Sequence, residues 1–496
     1  MKKRSEKITP KDLNLKGFYD LDLLRAAGKT VKHLQKSGNY TKELILNTLQ
    51  EILENPDQFL AHPDFALIAE KTKLLQAQNE QKRQERASFE LKTEIPEFRI
   101  YGTEHIEQGA IKQMNVAMQL PISVEGVLMP DAHQGYGLPI GGVLATEANK
   151  IIPYAVGVDI ACRMCMSIFE LDAVYFERNK QKFKNLLLKN TVFGTGNGFD
   201  KPLEDELFDK STWNATKVIR DLRKKAIQQV GSSGTGNHFV EWGIVEILEQ
   251  DPDLGIPAGA YVALLSHSGS RGFGAGIAGH YSQLAMEKTK LPDIAKHLAW
   301  LDMDSEEGQE YWIGMNLAGE YASANHHHIH RRMAQDLSLK PLQMIENHHN
   351  FAWKETLIDG REVIVHRKGA TPAHEKELGI IPGSMTHPGF VIKGKGQAAA
   401  IFSASHGAGR VMSRGKAKKS ITEGDLKKIL QEKGVLLIGG DLDEAPMAYK
   451  DIEAVMSFQT DLVDVLAKFS PKIVRMADKE KPRKRKKHGN IDFGES

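Results

Sequence analysis

The amino-acid sequence predicts an α+β fold, in which stacked mixed β-sheets carry peripheral helices and a small helical module precedes them. Three observations predict it. The first 95 residues repeat apolar side chains at helical spacing. Beyond about residue 100, short apolar runs are bounded by glycine, proline or charge, as strands are. Helical patterns at 314–335 and 451–468 lie between these runs without regular β-α-β alternation.

The N-terminal module is predicted from two helical patterns. Apolar residues at 21–34 fall near helical spacing, and those at 44–53 repeat along one helix face that ends before a proline. A polar stretch follows. We therefore divide the chain into a helical extension at 1–95, a main strand-rich domain at 96–476 and a basic tail at 477–496.

The strands of the main domain are predicted from short apolar runs. These runs lie at 124–129, 141–145, 165–169, 261–265, 362–365 and 397–402. The motifs described below lie at the ends of such runs and in loops, where binding residues are commonly presented.

The composition bounds the class of protein. The 496 residues are 41% hydrophobic and 26% charged, which is ordinary for a globular protein. No apolar run approaches the ~20 residues of a transmembrane helix. The basic N-terminus lacks the apolar segment of a secretory signal. We expect no membrane association and a cytoplasmic location.

Basic charge is concentrated in the tail. The formal net charge is only +2, but residues 479–488 read Lys-Glu-Lys-Pro-Arg-Lys-Arg-Lys-Lys-His. A solvated, disordered tail is the favoured interpretation of such a charge run. The alternative is a sequence-independent contact with nucleic-acid phosphates.

The two cysteines, Cys162 and Cys165, form a C-x-x-C pair. A redox pair requires the first cysteine at a helix N-terminus, whereas residues 166–169 continue as a strand. A structural zinc site requires four ligands of this kind, and the sequence has no second C-x-x-C. We expect Cys162 to bind metal and Cys165 to be a small buried strand residue.

Further ligand types lie on both sides of Cys162 in the sequence. Asp159 precedes it by three residues, and His238, His267 and His349 each occupy a glycine-rich or polar segment. One carboxylate, one thiolate and several imidazoles indicate a metal site, and their chemistry alone favours zinc.

Other motifs have competing interpretations. The turn at 231–238 lacks the lysine of a Walker motif, but its backbone N–H groups can bind an anion. The loop that carries Asp131 and His133 is equally well explained as a structural loop. The histidines at 326–330 lie within a helical run followed by two arginines, so a solvated helix face is favoured over a metal cluster.

Six motifs in this order resemble the RtcB-type RNA-splicing ligases over residues 105–470. They are Pro-Asp-Ala-His-Gln-Gly-Tyr-Gly (130–137), Gly-Val-Asp-Ile-Ala-Cys (157–162), Gly-Thr-Gly-Asn-His-Phe-Val-Glu (234–241), His-Ser-Gly-Ser-Arg-Gly (267–272), His-His-Asn (348–350) with Arg-Lys-Gly-Ala (367–370), and Pro-Gly-Ser-Met (382–385) with Ser-His-Gly-Ala-Gly-Arg-Val-Met-Ser-Arg (405–414). The last motif is highly specific.

The resemblance implies two Mn²⁺ ions and GTP as cofactors. One ion would be bound by Asp159, Cys162 and His238, and the second by Cys162, His267 and His349. His406 would be the nucleophile that takes GMP from GTP. The implied nucleotide-binding residues are Asn237, His238, Glu241, His349, Asn350, Pro382, Gly383, Ser384, Met385, Gly407, Ala408 and Gly409.

The function implied is the joining of RNA 3′-phosphate or 2′,3′-cyclic phosphate ends to 5′-hydroxyl ends in RNA splicing or repair. RNA is the implied partner, and an activating protein is a further one. Two competitors remain, a metal-dependent phosphohydrolase of RNA ends and a non-catalytic RNA-binding protein.

The sequence departs from the family pattern near the metal loop and the base pocket. Ala161 and Arg163 replace two glycines, and Arg163 is expected to contact phosphate or to alter the metal spacing. The segment 386–389 and the end at 475–479 also differ from the family. GTP specificity is therefore less strongly predicted than metal binding.

Overall fold

The computed structural model describes residues 8–15, 18, 20–37, 40–84 and 87–479. The chain divides into two compact units, with the division between Ala87 and Ser88. The predicted α+β class is confirmed, since helices and several sheets alternate along the second unit. Most of the predicted tail, residues 480–496, lies outside the described residues.

The first unit is helical. Its helices are Pro10–Leu15, Leu21–Ser37, Lys42–Glu54, Pro56–Phe59 and Ala66–Gln84. Thr41 caps the third of these, because its side chain accepts a hydrogen bond from the Leu44 N–H. Leu34, Ile45 and Leu49 are fully buried in the core of this unit, as the helical spacing of the sequence predicts.

The second unit contains two main sheets. The larger has the strand order Gln343–His348, Arg163–Phe169, Gly259–Ser268, Phe239–Ile247, Val463–Met476, Gly389–Gly394 and Leu378–Ile381, and Leu436–Ile438 pairs in parallel with Val463–Met476. The smaller has the order Asn350–Thr356, Glu362–Lys368, Ile140–Glu147, Ser123–His133 and Arg99–Ile100.

The larger sheet closes on itself through one side chain. Asn347 lies on the first strand of the order and Ile380 on the last. The Asn347 amide donates to the Ile380 carbonyl at 3.2 Å and accepts from the Ile380 N–H at 2.9 Å. This amide satisfies two backbone groups that would otherwise be unpaired at the sheet edges.

The chain passes from the larger sheet to the smaller one at His349. The strand Gln343–His348 belongs to the larger sheet, and Asn350–Thr356 begins the smaller one. His349 is therefore held at the junction of the two sheets, and its side chain is buried.

The remaining elements of the second unit are helices and short strands. The helices are Thr103–His105, Gln108–Met118, Pro153–Val156, Ala173–Arg178, Lys180–Asn190, Glu206–Asp209, Ser211–Asn214, Lys217–Gln229, Arg271–Lys288, Asp293–Leu298, Glu306–Leu337, Ala398–Ala400, Arg414–Ser420, Glu423–Lys433, Leu442–Glu444, Pro446–Ala448 and Ile452–Ser457. The short strands include Lys150–Ile151, Leu301–Asp302, Ala370–Pro372 and Ser403–Ser405. None of the helices in the described ranges is both long and apolar enough to cross a membrane.

Two element predictions are wrong. The predicted strand at 397–402 is a 3-10 turn, because Ile401 and Phe402 adopt left-handed backbone angles, with φ of 49° and 48°. The predicted helix at 451–468 ends at Ser457, and the strand Val463–Met476 follows it.

The histidines at 326–330 are also corrected. They lie on the helix Glu306–Leu337 as expected, but His326, His328 and His330 are buried instead of solvated. This helix packs against the helices Arg271–Lys288 and Lys180–Asn190 and against the strands Gly259–Ser268 and Arg163–Phe169, so these histidines face the interior. His328 is paired there with Asp205 at 2.9 Å.

Candidate active site and metal centre

A cavity of about 390 Å³ opens between the two sheets. Its walls come from the ends of sheet strands and from the loops that follow them. The lining includes Asp159, Cys162, Asn237, His238, Glu241, His267, His349, Asn350, Pro382, Gly383, Ser384, Met385, His406, Gly407, Ala408 and Gly409. Every site residue predicted from the sequence therefore lines one cavity.

Cys162 and three histidines converge on one wall. Cys162 Sγ lies 3.4 Å from His238 Nε2 and 3.1 Å from His267 Nε2. His267 Nε2 lies 3.3 Å from His349 Nε2. The antiparallel pairing that sets Met164 opposite His267 explains why the cysteine loop meets this histidine.

Asp159 completes this group. Its Oδ2 lies 3.0 Å from His238 Nε2, and its Oδ1 accepts from the Ser270 N–H at 3.0 Å. Burial opposes ionisation of this carboxyl, but the hydrogen bond and charge of His238, with Arg271, outweigh it and hold the Asp159 pKa below its usual value. Asp159 thus offers an anionic oxygen at a partly buried position.

The ring orientations match those of metal ligands. The His267 Nδ1–H donates to the Asn237 carbonyl at 3.1 Å, so the Nε2 lone pair faces Cys162 and His349. Burial lowers the pKa of His267 to about 3, with a further contribution from His238, which keeps the ring neutral. Ligand atoms of Cys162, His238 and His267 lie within 4.8 Å of one another.

The electrostatics of Cys162 also favour a cation. Burial and the Asp159 carboxylate raise the pKa of the Cys162 thiol well above its usual value. A divalent cation among these atoms reverses that balance, because it stabilises the thiolate directly. The carboxylate, the thiol and the imidazoles of this group therefore fit a metal centre.

His406 faces this group from the strand Ser403–Ser405, which it follows. Its ring centroid lies 4.9 Å from that of His349. The Nδ1–H donates to Asp131 Oδ2 at 2.6 Å, and the His406 backbone N–H donates to the same oxygen at 3.2 Å. Nε2 is then the unprotonated nitrogen and is available as a nucleophile.

Asp131 has a larger role than the sequence indicated. It is fully buried, and its pKa is lowered because His406 and Lys450 outweigh the opposing effect of burial. Lys450 Nζ also donates to the carbonyls of Pro130 and Ala132 at 3.1 and 2.8 Å, which holds the loop in place. The sequence feature that could have identified Asp131 is its position two residues before His133 in a proline-bounded loop.

Basic side chains surround the rest of the cavity. Those in its lining are Lys225, Arg271, Lys368, Arg410 and Arg414. Burial lowers the pKa of Lys368 to about 7. Its Nζ donates to the Tyr136 carbonyl at 2.5 Å and lies 5.1 Å from the centre of the Tyr154 ring. Arg410 and Arg414 are paired with Glu444, which also lines the cavity. The cavity therefore places several basic side chains beside the candidate metal-binding group.

A family model described as "tRNA-splicing ligase RtcB" matches residues 113–217 and 177–477. The chain belongs to the RtcB family. The family predicted from the motifs is thereby confirmed.

Similar proteins extend over most of this chain. "RNA-splicing ligase RtcB" of Escherichia coli strain K12 is 32% identical over 390 residues, which cover 73% of this chain and 92% of the relative. "tRNA-splicing ligase RtcB" of Nanoarchaeum equitans is 30% identical over 449 residues, with 75% and 94% covered. The protein of the same name from Thermococcus kodakarensis is 29% identical over 467 residues, with 77% and 96% covered.

The positions at which this RtcB-family member departs from the motif pattern have clear structural consequences. Ala161, in place of a glycine, adopts a left-handed φ of 55°. Arg163 turns away from the cavity, because it pairs with Glu346 at 2.9 Å and donates to the Gly319 carbonyl. The expectation that Arg163 contacts phosphate is therefore wrong.

The residues of the expected base pocket make contacts of their own. Ser384 Oγ lies 2.7 Å from His387 Nδ1, and both residues line the cavity. Glu241 lines the same cavity, and burial raises its pKa well above the usual value. The Asn350 amide, in contrast, is committed to the backbone, donating to the Asp159 carbonyl and accepting from the Gly369 N–H.

Proposed function

We propose that this RtcB-family chain is a GTP-dependent RNA ligase that joins 3′-phosphate or 2′,3′-cyclic phosphate ends to 5′-hydroxyl ends. The proposal rests on one observation above all, that the His406–Asp131 pair faces a group of thiolate, carboxylate and imidazole ligands across one cavity. The relatives are named RNA-splicing or tRNA-splicing ligases, which agrees with RNA joining.

Two metal ions belong to the proposal. Asp159, Cys162 and His238 would hold one, and Cys162, His267 and His349 the other. A divalent cation lowers the charge barrier to attack on a phosphate and organises a triphosphate. The ligand types alone favour zinc, whereas the family resemblance favours manganese, and we retain Mn²⁺.

His406 is the proposed nucleophile. Its Nε2 attacks the α-phosphorus of GTP, forming an N–P bond as pyrophosphate leaves. The Asp131 carboxylate holds the Nδ1–H throughout, so that the developing positive charge of the ring is stabilised. An oxygen of the RNA 3′-phosphate then takes GMP from His406.

The last step closes the RNA. A 5′-hydroxyl oxygen attacks the activated 3′-phosphorus, its proton is released, and GMP leaves as the new phosphodiester forms. A 2′,3′-cyclic end would first be opened to a 3′-phosphate by addition of water. The basic side chains of the cavity, including Lys368 and Arg271, are suited to both RNA strands because they neutralise phosphate charge.

The remaining site residues would bind the nucleotide. Asn237 and the backbone of 407–409 would contact phosphate, and Glu241 would accept hydrogen bonds from the base edge. The segment Pro382 to Met385 would form a wall of the guanine pocket, and Asn350 would act by holding two loops together. An activating protein and a cytoplasmic location stay predictions from the sequence.

A metal-dependent phosphohydrolase of RNA ends is the second candidate. It is favoured by His387, because this ring lines the same cavity as the expected base pocket and bonds to Ser384. In that case the metal ligands would be used while nucleotide capture would be absent. A non-catalytic RNA-binding role is less consistent with so complete a ligand group.

Incubation with α-labelled GTP and Mn²⁺ tests the proposal. We expect label on the wild-type protein that is lost in acid and kept in alkali, as a phosphoramidate is. His406→Ala should abolish the label and keep its metal content, and His374→Ala, which changes a histidine outside the cavity, should keep both. RNA-end processing without label would indicate the hydrolase instead.

A further inference from the structure

A second group of soft ligands lies outside the cavity. Cys165 is on the strand Arg163–Phe169, and His326 and His330 are one turn apart on the helix Glu306–Leu337. All three side chains are buried, and one ligand atom from each lies within 4.8 Å of the others. The proposed catalytic chemistry does not use any of them.

The outward ring nitrogens of both histidines are anchored. The His326 Nε2–H donates to the Ser268 carbonyl at 3.1 Å, and His330 Nδ1 lies 2.7 Å from Ser167 Oγ. Metal-binding histidines are commonly anchored in this way, because the outer hydrogen bond fixes the tautomer and the ring orientation. The outer bond of His326 leaves its Nδ1 lone pair directed inward.

The inward nitrogens meet at one hydroxyl. His326 Nδ1 and His330 Nε2 lie 2.6 and 2.8 Å from Ser266 Oγ. Burial lowers the pKa of His330 to about 3, which keeps this ring neutral. Two neutral imidazoles, a hydroxyl and a thiol therefore converge in a place from which water is excluded.

We propose that this group binds a soft divalent cation, zinc, through Cys165 Sγ, His326 Nδ1 and His330 Nε2, with Ser266 Oγ at the fourth position. The thiol proton leaves as the metal–sulfur bond forms. Tetrahedral zinc sets such atoms roughly 3.3–3.8 Å apart. The present distances between these ligand atoms differ from that range by about an ångström or less. Small rotations of the side chains close this difference.

Hydrogen bonding alone is the competing explanation. A continuous relay from Ser167 through His330, Ser266 and His326 to the Ser268 carbonyl satisfies every ring nitrogen. The relay makes no use of Cys165. Among the described residues no hydrogen bond to its sulfur is found, and a metal gives that buried sulfur a partner.

Zinc at this position would hold together the elements that support the cavity. The strand that bears Cys165 begins one residue after Cys162, and Ser266 directly precedes His267. A cation here would therefore clamp the long helix to the two strands that present ligands to the cavity. The inference is independent of the proposed ligase reaction.

Cobalt binding to the full-length Cys162→Ser variant tests the proposal, because that variant lacks the thiolate of the cavity. We expect about one Co²⁺ per chain with a sulfur-to-cobalt charge-transfer band and the strong visible absorption of tetrahedral cobalt. Adding Cys165→Ser or His330→Gln should remove the band. Adding His327→Gln, a half-buried neighbour on the same helix, should keep it.

A second measurement does not depend on how well the double variants fold. Zinc should raise the melting temperature of Cys162→Ser and of its His327→Gln derivative, and zinc content should be about one ion per chain after dialysis. A Cys162→Ser protein without the charge-transfer band and without bound zinc would overturn the proposal and leave the hydrogen-bonded relay as the complete account.

Discussion

Asp131 determines which nitrogen of His406 faces the cavity. A single carboxylate oxygen accepts from both the backbone N–H and the ring Nδ1–H of His406. The proposed nucleophile is therefore held in orientation and tautomer by one fully buried group. The sequence placed Asp131 in a loop with an equally good structural explanation, since a contact between positions 131 and 406 cannot be read from either segment alone.

Asp131→Asn is expected to slow guanylate capture by about 10²–10⁴-fold, because an amide can present its N–H to Nδ1 and so select the wrong tautomer. Metal content should be unchanged. Labelling rates with α-labelled GTP provide the measurement. Asp205→Asn is the matched control, since it alters another buried Asp–His pair at 2.9 Å, outside the cavity lining. Equal losses in both variants would remove the special role of Asp131.

Lys368 combines a buried cation with a place on the cavity wall. Its pKa of about 7 lies below the usual value of 10.5, so the unfolded chain binds more protons between these two values. Stability contributed by this group is therefore present above about pH 10.5 and is lost as the pH falls to about 7.

Lys368→Met should therefore have a higher free energy of unfolding than the wild type at pH 7. This difference should shrink by up to about 4 kcal/mol as the pH rises to 10, because the wild-type lysine then loses its charge. Urea unfolding of both proteins across this pH range measures the difference. The other titratable groups are the same in both proteins, so their contributions cancel. RNA joining should fall by about 10–100-fold for the loss of one charge-assisted hydrogen bond. A pH-independent stability difference would contradict the buried-cation assignment.

At the scale of elements, the site depends on a turn that admits no side chain. Gly409 follows the strand that leads to His406, has a φ of 71°, and a Cβ on it would lie 2.0 Å from the Asp131 carbonyl oxygen. A left-handed backbone and close packing against the Asp131 loop thus coincide at one position.

Gly409→Ala is expected to destabilise the fold by about 2–4 kcal/mol, combining backbone strain with overpacking. It should also reduce guanylate capture, because the displaced loop carries Asp131. Denaturant titration and labelling measure the two effects. Gly415→Ala is the control, since its Cβ would meet nothing within 4 Å on the helix Arg414–Ser420, and it should be neutral or stabilising by up to about 1 kcal/mol.

The local sequence predicted an element correctly where its apolar residues are the ones that the fold buries. The run at 124–129 became the centre of the strand Ser123–His133 because its apolar residues face a core. The run at 397–402 has equally apolar residues but turns at Ile401, whose backbone is set by its surroundings. The sequence predicted solvent exposure for His326 and His330, because their burial depends on contacts with Ser167 and Ser266, which are distant in sequence.

At the scale of the whole molecule, the basic tail can be separated from the site. Gly440 N–H donates to the Ala477 carbonyl at 2.8 Å, and Met476 lines the cavity, so Met476 and Ala477 are part of the fold around the site. A truncation that begins after Lys479 spares them. It removes Lys481, Arg483, Lys484, Arg485, Lys486 and Lys487.

If the tail binds RNA phosphates, this truncation should reduce the salt dependence of single-strand RNA binding. The log–log slope should fall by about 0.7 for each phosphate group that the shortened protein no longer neutralises. Guanylate capture and metal content should not change. Binding titrations at several salt concentrations measure the slope. An unchanged slope and affinity would mean that the tail is a solvated appendage.

The strand Val463–Met476 has one further consequence. Two of its last residues, Val474 and Met476, form part of the cavity wall, and the chain continues directly from there into the tail. The segment 480–496 spans at most about 60 Å, measured from Lys479. Any RNA held by the tail would therefore be tethered within reach of His406, and its ends would meet the site at a high effective concentration instead of by fresh diffusion from solution.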